Sequence, residues 1–421
     1  MKYATNAVFG LSRDLPLNYV ERPRVDGKLK TELAANKHIV IYGSSKQGKT
    51  CVRKHCMSSD DYILVQCSNR SDASELNASI LKRAGFEITQ STKRGMTGKN
   101  KVVASVKATV FGIGGSGGGE TEDTHSQEIT TTPLEIDIDD VNDVIAALKS
   151  INFDKVIVLE DFHYMPFETQ RDFSIALKAF HETSSITFII VGVWLEDNRL
   201  IVYNGDLTGR IISVNADIWS DDELMQAIQT GGTLLNINFT EEFKKQILAN
   251  SLKSIYLVQE ACRRACELTN ILETSPQTIT IGDGIDGKQL IAEIVSDQSA
   301  RYNSFLVNFS EGFQDTELKM HKWILYPVLT ATIEELELGL RYGYIRSTLQ
   351  TEHPRGEGLN LGNLTQSLQS TASLQIKKNI MPIILDYDQT NRKLNVVDKG
   401  FLIWLQHMDV KEIMDELEFV D

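Results

Sequence analysis

The chain has 421 residues, 42% hydrophobic and 24% charged, long enough for two or three domains with real cores and too apolar for disorder to be its default. Its formal charge of −14 excludes indiscriminate coating of nucleic acid by the whole surface but permits one local basic patch. The longest strongly apolar run, ITFIIVGVWL at 186–195, falls far short of the roughly 20 residues of a membrane helix, and no signal-peptide hydrophobic region opens the chain, so a soluble, cytoplasmic protein without membrane contact is expected.

Residues 1–36 read as a turn-rich lead followed by a helix from about Arg24 to Ala35. HIVIY, at 38–42, is apolar without alternation, the pattern of a parallel strand buried on both faces. A glycine loop, a helix at about 48–57, the apolar run YILVQC (62–67) and a helix at about 73–84 follow, and this alternation predicts a parallel sheet with crossover helices. Residues 89–134, rich in Gly, Thr and acids, read as a mobile surface insertion. Order resumes with a helix near 139–150, the strand KVIVLE (155–160), a helix near 169–183 and the strands ITFIIVGV (186–193) and RIISVN (210–215). The α/β unit at 37–219 is therefore expected to hold a five-stranded parallel sheet. From Ser220 to about 310 the pattern is helical, predicting an all-helical subdomain. Residues 311–421 give three helices, at ELKMHKWILYPVL, RYGYIRSTLQ and LGNLTQSLQSTASLQIKK, and then two strands in PIILDYDQTNRKLNVVD, the outline of a winged helix. The five cysteines (Cys51, Cys56, Cys67, Cys262, Cys266) are odd in number and form no CxxC pair, so they are read as free thiols.

The loop between the first strand and its helix carries the chemistry. Gly43, Ser44, Ser45, Lys46, Gln47, Gly48, Lys49 and Thr50 satisfy GxxxxGK[ST], and Cys51 follows them in the first helical turn. Such a loop turns its backbone N–H groups to phosphate, lets its lysine reach the β- and γ-oxygens, and offers the threonine hydroxyl to Mg²⁺. A second acidic element must end a neighbouring strand, and VIVLEDFH supplies Glu160 and Asp161 there. ATP and Mg²⁺ are the expected ligands, with Thr50 and Glu160 on the metal and Asp161 as base. His163, just beyond, is read as a structural histidine or, alternatively, a reporter of the γ-phosphate.

With the acidic element in place, the sequence resembles AAA+ and STAND ATPases, and most closely the origin-recognition-like and STAND-related AAA+ members. That resemblance implies a P-loop ATPase core, a helical lid and a C-terminal winged helix. YVERPRVDGKLKTELAANKHIVIYG resembles the family's adenine-contacting lead, which brings in Tyr19, Val20 and Arg22. DLTGRIISVN resembles the segment carrying the arginine finger, so Arg210 is expected to complete a neighbour's site in a homo-oligomer; a surface arginine capping a helix is the alternative. Three positions depart from the family. The acids run Glu160–Asp161 rather than Asp–Glu, Gly192-Val193-Trp194 stands where a polar sensor is usual, and Tyr256 stands where the lid arginine is usual. Slow turnover and a switch rather than a fast motor are implied.

Two roles fit the C-terminal unit. Residues 341–400 hold eight Lys/Arg against five Asp/Glu, a mild excess toward DNA through Arg346, Arg355, Lys377, Lys378, Arg392 and Lys393. The resemblance alternatively implies a domain that packs on the nucleotide site and transmits its state to an effector protein partner, as in a bacterial defence or signalling assembly. A DNA-binding initiator or loader is the rival expectation.

Overall fold

The computed structural model describes residues 1–10, 14–89, 101–106 and 133–419. Five parallel strands form its centre: β1 (His38–Tyr42), β2 (Tyr62–Gln66), β3 (Val156–Glu160), β4 (Phe188–Gly192) and β5 (Ile211–Asn215), in the spatial order β2-β3-β4-β1-β5. Every residue of β1 and β4 is buried, which is why their sequences show no alternation. The register pairs Tyr42 with Gly192 and Asn215, and Gln66 with Glu160, so the carboxyl ends of the strands share one rim. In an open parallel sheet that rim, where the strand order reverses, is where ligands bind.

The helix expected at 24–35 is a π-turn at Pro23–Gly27 followed by an α-helix at Lys28–Leu33. The insertion reading of 89–134 is corrected in part, because Phe86–Thr89, Lys101–Val106 and Pro133–Asp137 form a three-stranded antiparallel sheet. Val102 and Ala104 alternate inward there, a short period-two signal hidden between polar flanks. The Gly-rich stretch 111–132 lies outside the described residues.

Beyond the sheet, helices Asp221–Leu235, Glu241–Asn250, Ile255–Leu268 and Gly287–Ser296 enclose a small parallel pair, Ile237–Phe239 with Ile279–Ile281, so the subdomain is not all-helical. The short helix Thr5–Phe9 belongs to this body: Thr5 N donates to the Leu272 carbonyl at 2.9 Å, and a Cβ on Gly231 would meet the Phe9 ring at 2.3 Å. The C-terminal part contains helices Met320–Thr330, Ile333–Leu338 and Tyr342–Glu352, then Leu361–Gln369 and Thr371–Lys377, where one helix was expected. The break falls at Ser370, whose φ/ψ of −91°/2° leaves the helical well and whose hydroxyl turns back to the Ser367 carbonyl. Leu340–Arg341, Lys393–Val396 and Leu385–Asp388 form a three-stranded antiparallel sheet in that order. One continuous apolar core runs from Val8 through the helices that follow the sheet to Leu417, with Tyr302 edge-on to Phe401 at 5.5 Å.

Candidate nucleotide site

The phosphate loop leaves β1 at Gly43, whose φ of +144° and close approach to Asp217 demand glycine: a Cβ would lie 2.6 Å from Asp217 Oδ1. Lys46 and Gly48 take left-handed conformations (φ 61° and 84°), and the helix Lys49–Cys56 begins at once. Ser44 is tied at both ends to Asp217, its N–H donating to Oδ1 at 2.8 Å and its hydroxyl to Oδ2 at 2.5 Å. Asp217 follows β5, so the last strand's exit braces the loop that follows the first.

Lys49 Nζ donates to the Gly43 and Ser44 carbonyls at 3.1 and 2.6 Å. Its burial lowers the ammonium pKa to about 8, against the opposing pull of Asp217, Asp161 and Glu160. Thr50 Oγ1 donates to Glu160 Oε1 at 2.6 Å. The other Glu160 oxygen has no hydrogen-bond partner among the described residues, and Arg53 Nε is 3.6 Å from it. Asp161 leaves the strand in a left-handed conformation (φ 57°) and accepts from the Gln66 side chain. Burial, and next Glu160, raise its pKa. The two acids are thus divided, Glu160 toward Thr50 and Asp161 toward β2. A hydroxyl paired with a carboxylate whose second oxygen lacks a partner fits Mg²⁺, which takes one or two protein oxygens and fills its shell with phosphate and water. Among the described residues, no group of three or more His, Cys, Asp or Glu is arranged to hold a metal by itself.

This division predicts separable effects. Glu160→Gln should weaken the Mg²⁺ dependence of ATP binding first, whereas Asp161→Asn should leave Mg·ATP bound and suppress turnover by roughly 10²-fold or more. Metal titrations and single-turnover hydrolysis measure the two, and the opposite pattern would reverse the assignment.

Beside the loop lies a cavity of about 340 Å³. Tyr19, Val20 and Arg22 of the N-terminal lead line it, with Ser45 to Cys51 of the loop and its helix, Trp219 and Tyr256 of the lid body, and Pro382 of the C-terminal part. Tyr19 bonds Asp26 and stacks near His55 at 4.7 Å. Arg22 is fully buried, donates to the Ala216 and Ile218 carbonyls at 2.8 and 3.3 Å, and lies 3.9 Å over Trp219; its Nε and Nη2 have no hydrogen-bond partner among the described residues. Tyr256 presents its ring to the Lys46 ammonium at 4.0 Å. Trp194, fully buried, packs so tightly on Gly192 that a Cβ there would sit 1.6 Å from its ring, so no polar group ends β4.

Arg210 is at the opposite rim: its carbonyl accepts from His38 N–H, at the start of β1, about 16 Å along the strands from Gly43. Its guanidinium bonds the Asp206 carbonyl and pairs with Glu182 at 2.8 Å, the capping contact of the plainer reading. His163 is buried, and among the described residues neither ring nitrogen has a hydrogen-bond partner, so it is not a structural histidine held by its own hydrogen bonds; burial lowers its pKa to about 3.

The C-terminal part closes over the loop. Ser45 N donates to the Val397 carbonyl at 3.1 Å, and Val193, Ile376, Ile383 and Val397 form a shared apolar cluster. Arg199 Nη2 bonds Asp386, its Nε lies 3.3 Å from Glu196, and Glu196 accepts from Thr390 in the hairpin turn. Asp217, Arg53, Gln66 and Val397 carried no local motif and escaped the sequence reading.

No family model matches this chain, and neither does any curated protein. Among solved structures it is similar to a Walker-type ATPase of Pyrococcus abyssi, at 11% identity and a TM-score of 0.50 over 94% of this chain and 99% of that one. Likeness is also found to the Aeropyrum pernix Orc1 protein in complex with DNA (TM-score 0.46, 11% identity, 99% and 97% covered). The Thermotoga maritima RuvB Holliday junction branch migration motor is a third (TM-score 0.36, 12% identity, 91% and 94% covered). The fold is that of a P-loop ATPase. Among the described residues, no helix is long and apolar enough to cross a membrane.

Proposed function

We propose that this chain is a cytoplasmic Mg·ATP-binding, slowly hydrolysing switch of the AAA+/STAND kind, in which nucleotide state controls self-association or engagement of an effector partner. The contact between Ser45 N–H and the Val397 carbonyl carries the reading. A phosphate loop needs its N–H groups for the ligand, and here one is held by the C-terminal unit, which we read as a winged helix. The absence of a polar residue at Val193 and of an arginine at Tyr256 favours slow turnover. Lys49, Thr50 and Glu160 would hold the nucleotide and its metal, and Asp161 would orient water and take its proton. Bound Mg²⁺ would supply charge neutralisation on the phosphates.

The rival reading, an initiator or loader acting on duplex DNA, is less well supported. The helix Thr371–Lys377 and the hairpin turn, where a winged helix meets DNA, pack on the ATPase core through Ile376 and Thr390. Arg355 and Lys378 are paired with Glu317 and Glu311, and Arg392 lies over Tyr342 at 4.1 Å.

Arg210 tests the switch. Arg210→Ala should bind ATP like the parent but lose ATP-dependent association, measured as mass in solution with ATP, ADP or neither, together with most turnover. Mixed with Lys49→Ala, it should regain activity at interfaces that pair an intact loop with an intact Arg210. Normal hydrolysis by Arg210→Ala alone would return the residue to a capping role.

A further inference from the structure

Two neighbouring residues of the C-terminal part, Val397 and Asp398, hold two different donors. The Val397 carbonyl takes the Ser45 N–H of the phosphate loop at 3.1 Å. Asp398 Oδ2 takes Arg301 Nη1 at 2.7 Å, while its Oδ1 caps the following helix from Gly400 N–H at 2.9 Å. Arg301, on the helix Ser299–Ser310, also donates from Nη2 to the Pro382 carbonyl at 2.9 Å, and Pro382 lines the nucleotide cavity with Ser45, Lys46 and Tyr164. Among the described residues its Nε, buried, has no hydrogen-bond partner, so the guanidinium keeps a donor beyond these contacts. The same charges reach the loop: burial lowers the Lys46 ammonium pKa, Asp398 opposes that shift, and Arg301 adds to it. At Tyr256 the cavity meets a ring and no cation; Arg22 lines it from the N-terminal lead, tied to the Ala216 and Ile218 carbonyls, and the Arg301 guanidinium stands one residue behind the wall, on the Pro382 carbonyl.

We infer that Arg301 recognises the terminal phosphate of a nucleoside triphosphate, and that the Val397 carbonyl and Asp398 carboxylate compete with that phosphate for the Ser45 N–H and the Arg301 guanidinium. The inference rests on the proposed nucleotide-binding role of the loop. A carbonyl and a carboxylate on successive residues offer oxygens to one N–H and one guanidinium, the donor types a phosphate group takes. A phosphate reaching the Ser45 N–H must displace Val397, and the same displacement pulls Asp398 from Arg301. A diphosphate, ending short of this wall, leaves the Asp398–Arg301 pair in place.

Calorimetric titration of the full chain with Mg·ATP and Mg·ADP tests this. Arg301→Ala should weaken ATP about tenfold or more while leaving ADP within about twofold, the loss of one charge-assisted contact. Asp398→Asn, which keeps the helix cap and removes the competing charge, should tighten ATP several-fold more than ADP. That gain should vanish in the double variant, because both changes act on one pair. Equal effects of Arg301→Ala on both nucleotides, or none, in a folded protein would assign Arg301 to structure alone. Should Arg301→Ala fail to fold, Asp398→Asn decides, and a lack of selective tightening overturns the inference. A parent that binds neither nucleotide would instead sink the nucleotide-switch reading, a result distinct from a parent that binds both and a variant that does not discriminate.

Discussion

Lys49→Ala is expected to lower ATP affinity by on the order of a hundredfold or more, because the loop's buried cation is lost together with two charge-assisted hydrogen bonds to phosphate. The fold should survive. Among the described residues Lys49 Nζ bonds only the Gly43 and Ser44 carbonyls, and the loop is independently braced by Asp217 on Ser44 and by Val397 on Ser45. The parent should also show the lysine in its pH profile. Only the charged ammonium attracts phosphate, and burial sets its pKa at about 8, so affinity should hold below that value and decline above it. Labelled-ATP binding with a thermal melt measures both, and undiminished affinity in folded Lys49→Ala would falsify the site assignment.

Arg199→Met should be the most destabilising single change at the seam between the five-stranded α/β core and the C-terminal part. Arg199, Glu196 and Asp386 are all buried, and Arg199 also lies 5.1 Å from the Trp194 ring. Removing the cation leaves two buried carboxyls without their charge partner, which costs about 3–5 kcal/mol when a buried pair is broken from one side. Burial already raises the pKa of Glu196 and Asp386, with Arg199 pulling each down, so its loss moves both further up. A carboxyl whose folded pKa is raised contributes stability below its ordinary pKa and loses it as pH rises through the raised value. The deficit should therefore be smaller near pH 5 than near pH 8. Arg199→Met combined with Asp386→Leu should recover part of the loss, because the second change removes one stranded charge. Urea unfolding of the parent and both variants at the two pH values provides the test. A deficit below about 1 kcal/mol and independent of pH would mean the cluster is solvated and contributes little.

What the sequence revealed was local. The loop was legible because eight consecutive residues carry its chemistry, and Glu160 and Asp161 because an apolar strand ends in acids. The strands β1 and β4 were legible because burial on both faces leaves unbroken apolar runs. The braces were not. Asp217 meets Ser44 across 173 residues, and Val397 offers only a backbone carbonyl, to which a side-chain pattern is blind. Three-residue strands such as Ile237–Phe239 are too short to show a period, and the break at Ser370 interrupts a stretch whose composition suits one helix. Arg210 was noticed through resemblance, and it stands at the rim opposite the loop, out of reach of its own phosphate site.

The packing of Thr371–Lys377 and the hairpin turn against the α/β core has a thermodynamic consequence. Any macromolecule that grips this face must first peel it away, so its affinity carries the free energy of that separation. The linkage is reciprocal: a ligand that loosens the seam must strengthen such a partner's grip by the same factor by which the partner strengthens the ligand's. The two surfaces therefore form a single equilibrium, and titrating one while measuring the other reads the strength of the seam directly.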